Sequence, residues 1–465
     1  MTASIRVVMV ALLGGLALST AVVIRAGAQA PTDRARVAEV AADVLRRAAE
    51  RDDFNGAIVL MRDGGILYEG AAGLAERGPD RPFRPDTPVD GGSLAKTLTA
   101  ALVWERAADG RLSLEAPVTR YLPEYPYASH RVRDLVTHRT GLPDYDYFEA
   151  DFPPGVVRDT ADLLAVVVRR RPADVRRPGI TVEYSNLGYD LAGLVVERVE
   201  GQRLGPLMRA GYFEPLGMTG AFARPARFAD WPGPRAPGYA RRDGEWRLAD
   251  AIDGEAHIGA SNVQASARDW ARWGDAFARG LVMPRAMLDA GLAEPVLASG
   301  FDTTLTALSW YCDDARQRCH YSGWYSGFYA QVWWDRARRE TLAWVSNSSV
   351  APWRSAALTR AWIAALAGQA IADAETPPAL VPPPPDRARL SGVYEAQGLG
   401  PLRLDLGPEG GTMQVGEGDR ASLFDVPGGV LYAPTLDLRL RFSGTLAAPV
   451  LHVQSVFGAA DAARR

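Results

Sequence analysis

Ser93 stands three residues before Lys96, and Lys96 is the only lysine in the chain; the other 51 of its 52 basic residues are arginine. At this spacing a hydroxyl and an amine fall on one face of a helix. An amine gives up its proton where its surroundings disfavour charge, whereas a guanidinium stays charged. The pair therefore suggests a serine nucleophile with lysine as its general base. The competing reading is a helix-capping serine followed by a surface lysine. Tyr184 and Asn186 form Tyr-x-Asn immediately before an apolar stretch of helical length, where a phenol can carry a proton or merely satisfy a buried partner. A third segment runs Cys319, His320, Tyr321, Ser322, Gly323, Trp324 and on to Phe328, with the pattern of strands.

These residues need elements to hold them. Val37, Val40, Val44 and Leu45 recur on one helical face, so a helix opens the folded part. Gly56 to Met61 and Ile66 to Tyr68, around Arg62 to Gly65, have the shape of a hairpin. Leu94 to Ala108 is rich in helix formers and ends at Gly110, which places Ser93 at a helix N-terminus. A nucleophile elbow at Gly91 to Ala95 is the weaker alternative, because Pro85 to Val89 does not read as a core strand. The segment from Cys319 through Trp334 and Glu340 to Val345 fits two paired strands. Thr376 to Pro385, TPPALVPPPP, is a stiff spacer that marks a boundary at 376–385. Beyond it, Leu402, Leu404, Leu406 and then Leu436, Leu438, Leu440, Phe442 alternate with polar neighbours, so 386–465 reads as a small all-β barrel or sandwich.

The composition, 47% hydrophobic and 23% charged over 465 residues, is that of a globular chain of two or three domains. A formal charge of -3 gives no reason to expect a nucleic-acid partner. Arg6 followed by apolar Val7 to Ile24 and small Ala26, Gly27, Ala28 reads as a signal peptide over 1–28, and the alternative is an uncleaved anchor. No other stretch is apolar long enough to span a membrane, so periplasmic or secreted localisation is expected after cleavage. In an exported chain, Cys312 and Cys319 form a disulfide rather than a metal site. With no HExxH, Cys-x-x-Cys, P-loop or dinucleotide fingerprint, neither metal nor cofactor is expected. His130, His257 and His452 show no partner pattern, and His138 is read as a structural residue holding backbone. Trp310, Trp324, Trp333 and Trp334 either line an apolar acyl pocket or pack the core.

Taken in order, Ser-x-x-Lys at 93–96, Tyr-x-Asn at 184–186 and the segment at 320–328 make the chain resemble the class C β-lactamase-like serine hydrolases of the serine β-lactamase and penicillin-binding-protein superfamily. The connecting segments GRLSLEAPVTRYLPEYP (110–126), VRDLVTHRTGLPDY (132–145), YSNLGYDLAGLVVERVEG (184–201) and PLGM (215–218) resemble the family too. The resemblance implies an α/β (α+β) fold over 31–375. An antiparallel sheet of five to nine strands is flanked by helices, with an all-α region beside it and the site between. It makes Ser93 the acylated nucleophile, Lys96 its base, Tyr184 the proton carrier, and the N–H groups of Ser93 and Trp324 the oxyanion hole. Asn186, Tyr321, Ser322 and Gly323 are implied to contact an ester, amide or peptide substrate. The third motif departs from the family: its cationic slot falls on Tyr321, with His320 one residue upstream on the opposite face unless a bulge brings it round. That weakens the case for β-lactams and D-Ala-D-Ala peptides, whose carboxylate calls for a charged donor. The tail resembles the lipocalin-like barrels appended to some of these hydrolases. A ligand-binding protein with an inert hydrolase domain is the alternative of another class.

Overall fold

The computed structural model describes residues 33–464 apart from 51–53, 153–155, 174–177, 181, 243–244, 299–302, 349–351, 371–380, 385, 397–399, 409, 416–419, 427, 434–437, 447 and 456–457. The segment 1–28, read from the sequence as a signal peptide, and most of the 376–385 spacer lie outside the described residues.

Strand β1 (Gly56–Arg62) reads GAIVLMR, apolar until its last residue, and a strand of that composition needs cover on both faces. It has it. Ala57, Val59 and Met61 enter one core with Trp270, Trp273 and Phe277 of helix α5 (Ala267–Arg279). Ile58 and Leu60 enter a second core with Val37, Val40 and Val44 of α1 (Arg34–Glu50) and with Leu358 and Trp362 of α6 (Pro352–Leu366). Each large side chain buried this way contributes about 1.5–3 kcal/mol.

Around β1 lies an eight-stranded antiparallel sheet: β2 (Gly65–Ala72), β3 (Pro295–Ala298), β4 (Thr304–Thr306), β5 (Tyr311–Cys312), β6 (Arg318–Tyr325), β7 (Phe328–Asp335) and β8 (Glu340–Ser346). Their spatial order is β3-β4-β5-β6-β7-β8-β1-β2, so the N-terminal hairpin joins the C-terminal strands through β1 and β8. Where the sequence suggests two strands over 319–345 there are three. From His320 to Trp334 no charged residue interrupts the chain, and the β6–β7 turn is marked only by Ser326 and Gly327. Trp310 and Trp334 are fully buried, and Trp333 packs on the opposite face, so these three are core; Trp324 is 66% exposed.

The helical region consists mainly of α2 (Ala95–Ala108), α3 (Thr160–Arg170) and α4 (Asn186–Glu200). Helix α2 is buried on all sides from Ala95 to Trp104. Helix α4 starts where the Ser185 hydroxyl accepts the Gly188 N–H, and stops at Gly201, which has φ +66°. No helix among the described residues is long and apolar enough to cross a membrane.

Eight antiparallel strands from Gly392–Ala396 to Gly458–Arg464 close into a barrel, the last pairing with the first at Arg464 and Tyr394. Tyr394, Leu402, Leu404, Leu406, Met413, Leu440, Leu451 and Val453 are all buried inside it. An eight-stranded barrel is just wide enough to be filled by such side chains.

Candidate active site

Ser93 sits on a short 3-10 turn, Gly92–Leu94, that runs directly into α2. The turn is fixed from below: Asp90, wholly buried, accepts the Gly92 N–H at 2.8 Å and the Gln264 side-chain N–H at 2.8 Å. Gly92 has φ +50°, a conformation costly for any residue with a side chain. One helical turn later Lys96, fully buried, brings Nζ to 3.1 Å from Ser93 Oγ. The amine also donates to Asn186 Oδ1 at 2.7 Å and to the Ala260 carbonyl at 3.1 Å. A neutral amine has two hydrogens and one lone pair. A neutral amine at this position, with both hydrogens given to Asn186 and Ala260, would have its lone pair towards Ser93 Oγ.

Tyr184 approaches from the start of α4 and places its hydroxyl 2.7 Å from Ser93 Oγ. His138 holds it there. The His138 carbonyl accepts the Glu183 N–H at 2.8 Å, its Nδ1 accepts the Ser185 N–H at 3.0 Å, and its ring stacks on Tyr184 at 4.6 Å. Asn186 is held by Asp144, which accepts its side-chain N–H at 2.8 Å, its backbone N–H at 3.0 Å and that of Leu187 at 2.9 Å. This fixes which end of the Asn186 amide faces Lys96.

Burial, reinforced by the neighbouring Lys96, holds the His138 ring down to about 3, against 6.5 when free. Below pH 6.5 the unfolded chain therefore takes up a proton that the folded protein refuses. The contribution of His138 is full above pH 6.5 and is lost as pH falls towards 3, at about 1.4 kcal/mol per unit. Between pH 7 and pH 5 the wild type should lose about 2 kcal/mol more than a His138→Asn variant. Urea unfolding of both proteins at the two pH values checks this; parallel losses would remove His138 as the cause. Asn is chosen because residue 138 has φ +56°.

Strand β6 forms the opposite wall. Its register with β7 is unbroken from Arg318 to Tyr325, so no bulge rotates His320 towards Ser93. Tyr321 pairs with Val332 on the α5 side of the sheet, while His320 pairs with Trp333 on the α1 and α6 side. Tyr321, buried, is hydrogen-bonded to Tyr184, and burial holds its hydroxyl well above the ordinary phenol range. It is a neutral group. Ser322 is exposed and, by the alternation of the strand, points to the His320 side. Gly323 lies against the nucleophile turn: a Cβ there would stand 1.8 Å from the Gly91 carbonyl oxygen and 2.8 Å from the Ser93 nitrogen. A Cβ on Gly92 would likewise meet the Trp324 nitrogen at 2.8 Å. Two glycines thus let β6 and the turn that carries Ser93 approach closely beside the backbone nitrogens of Ser93 and Trp324. At the far end of β6, Cys312 and Cys319 are opposite one another and disulfide-bonded.

The histidines without a sequence pattern do have partners. His130 Nδ1 is 2.6 Å from the Tyr125 hydroxyl, and His257 Nδ1 is 3.0 Å from buried Asp190. His452, on the outside of the barrel, lies between Ser443 at 2.6 Å and Asp461 at 2.6 Å. That row has the atom order of a Ser-His-Asp triad but sits exposed on three adjacent strands. Order alone does not make a catalytic centre, which also needs donors for an oxyanion. Among the described residues no group of His, Cys, Asp and Glu could hold a metal.

Residues 41–367 match the family described as Beta-lactamase. The chain belongs to that family. Among curated members of the beta-lactamase family and their kin, it is 30% identical over 171 residues to Penicillin-binding protein 4* of Bacillus subtilis, covering 37% of this chain and 38% of that protein. It is 34% identical over 200 residues to Esterase EstB of Burkholderia gladioli, covering 39% of this chain and 50% of that one. The chain thus spans half or less of the length of these relatives. The octameric penicillin-binding protein homologue from Pyrococcus abyssi superposes with a TM-score of 0.64 at 18% identity, covering 92% of this chain and 99% of that one. A class C beta-lactamase superposes at 0.59 and 19% identity over 72% of this chain and 98% of that one. The beta-lactamase fold is therefore shared with both, and the former match extends over the barrel.

Proposed function

We propose that the protein is an exported serine hydrolase that forms an acyl-enzyme on Ser93 and acts on an ester or a small amide or peptide. The observation that carries this reading is the pair of contacts at one oxygen: Ser93 Oγ stands 3.1 Å from Lys96 Nζ and 2.7 Å from the Tyr184 hydroxyl. Lys96 takes the Ser93 proton as Oγ bonds to the substrate carbonyl carbon. The carbonyl oxygen becomes an oxyanion held by the Ser93 and Trp324 N–H groups, each worth about 3 kcal/mol. As the bond to the leaving group breaks, Tyr184 gives that group its hydroxyl proton and recovers one from Lys96. In the second half a water molecule replaces the leaving group, the protons run in reverse, and Ser93 leaves with its hydrogen restored. Asn186, Tyr321 and the backbone of Ser322 and Gly323 line the substrate's path.

An ester leads among the substrates. Tyr321, uncharged and tied to Tyr184, stands where a cation would recognise a carboxylate, and carboxylate recognition gains most from a charged donor. A relative named an esterase supports this side, and relatives named penicillin-binding proteins support a DD-peptidase or β-lactamase. The filled interior of the barrel speaks against a ligand-binding protein with an inert hydrolase domain. Export rests on the charged, apolar and small-residue order of the N-terminus together with the Cys312–Cys319 disulfide, a bond of oxidising compartments. The location is then periplasm or medium, or the membrane if the segment stays uncleaved.

Intact mass after brief exposure to p-nitrophenyl butyrate and to benzylpenicillin tests the reading. An acyl adduct and a burst of nitrophenol from the wild type, both absent in Ser93→Ala, are expected. Undiminished turnover by Ser93→Ala would sink the nucleophile assignment. A long-lived penicilloyl adduct would move the substrate from esters to D-Ala-D-Ala peptides.

A further inference from the structure

Strand β6 loses its neighbour on one side just where the site begins. β5 pairs with it only at Tyr311–His320 and Cys312–Cys319, so from Tyr321 to Tyr325 it has β7 along one edge and the nucleophile turn along the other. In a hairpin with a two-residue loop the closing pair, here Tyr325–Phe328, is hydrogen-bonded and the next pair, Trp324–Tyr329, is not. The Trp324 N–H is therefore turned away from β7, and the ladder does not hold it. The contacts at Gly92 and Gly323 set only how near β6 can come to Ser93. Something else must keep the end of the strand from drawing away.

The segment 249–260 supplies the tie. At the β6–β7 turn the Ala249 carbonyl accepts the Gly327 N–H at 2.6 Å and the Ser326 hydroxyl at 2.6 Å. Further along, Glu255 accepts the hydroxyl of Tyr325, the residue next to Trp324, which lies on the same face of β6 as Tyr321. Burial, reinforced by the Glu255 carboxylate, holds that hydroxyl above the ordinary phenol range, so it stays a donor. Glu255 is itself fixed. Its carboxylate is paired with Arg158, just before α3, and its carbonyl accepts at 2.6 Å from Arg224, a wholly buried side chain that also stands 3.7 Å from the carboxylate. At the other end of the segment the Ala260 carbonyl accepts from Lys96. One stretch of chain thus links the strand that carries the Trp324 N–H to the amine beside Ser93, and its tie next to Trp324 is a single hydroxyl.

Resting on the reading of Ser93 as the acylated nucleophile, we infer that Tyr325 and Glu255 are positioning residues, whose hydrogen bond fixes the place of the Trp324 N–H against Ser93. Tyr325→Phe removes the bond and keeps the ring. Glu255 retains Arg158 and Arg224, so no buried charge is stranded and the variant should fold. Hydrolysis of p-nitrophenyl butyrate should show kcat lower by about tenfold or more and KM within about twofold of wild type, the pattern of a misplaced oxyanion donor. Butylboronic acid isolates that donor: Ser93 Oγ adds to boron, its proton passes to Lys96, and a boronate oxygen takes the place of the oxyanion. Its inhibition should weaken by a similar factor, which a loss of stability alone would not produce. If kcat and boronate inhibition both stay within twofold of wild type, or if kcat falls while boronate inhibition is unchanged, the inference is overturned. Hydrogen exchange reads the position without turnover: in folded Tyr325→Phe the amides of 321–325 should exchange about threefold faster or more, and an unchanged rate would count against the tie and overturn it. Faster exchange there, in a protein whose wild type hydrolyses no ester and takes up no boronate, would uphold the positioning and overturn the serine-hydrolase reading instead.

Discussion

Lys96→Arg is expected to lower kcat/KM for a simple ester by about a thousandfold, although the substitution keeps a positive charge at the position. A guanidinium cannot give up its proton at working pH, so it has no lone pair for Ser93. Its planar fork also cannot reproduce the three directions in which Nζ meets Ser93, Asn186 and Ala260. The measurement is steady-state turnover beside near-ultraviolet circular dichroism, whose signal comes from the buried tryptophans. Lys96→Ala serves as a smaller companion, so that loss of activity is read in at least one folded variant. An Arg variant turning over within a few-fold of wild type would show that charge, not proton transfer, is what position 96 supplies.

A second large effect is expected from a single methyl group. Gly323→Ala would set a Cβ 1.8 Å from the Gly91 carbonyl oxygen, a contact that only movement of β6 or of the nucleophile turn can relieve. Movement of about 1 Å in reacting groups costs around a hundredfold, and loss of one oxyanion donor costs a hundred- to a thousandfold. We therefore expect kcat to fall by two to three orders of magnitude, with acylation of Ser93 slowed in the same proportion. The disulfide and the rest of β6 should keep the strand paired with β7. Stopped-flow release of nitrophenol checks this, and an Ala variant within twofold of wild type would mean that the Trp324 N–H is not used.

The sequence shows the candidate catalytic residues more plainly than what holds them. Ser93 and Lys96 were legible because a helical spacing needs no tertiary contact to read, and a lone lysine among arginines stands out. The hairpin of β1 and β2 and the helices α2 and α4 followed from apolar patterning and glycine stops, close to their observed bounds. Asp144, which orients Asn186 from 42 residues away, carried no such signal. Neither did Asp190 and His257, nor the Ala260 carbonyl, 164 residues from the lysine it receives. The side of β6 that faces Ser93 was readable in principle from alternation, but the choice between Tyr321 and His320 needed the register with β7. The β6–β7 turn was hidden because its flanks are apolar on both sides.

The single lysine has a practical consequence. Its amine is wholly buried, and the other 51 of the 52 lysine and arginine side chains are guanidinium groups, which amine-directed reagents do not acylate. A folded molecule therefore offers such a reagent no exposed side-chain amine. One enters only when the end of α2 parts from Asn186 and the 260 segment, so the rate of labelling at residue 96 reports the local opening of the site itself. Without any engineered tag, the chain carries a built-in side-chain reporter of whether its candidate active site is closed.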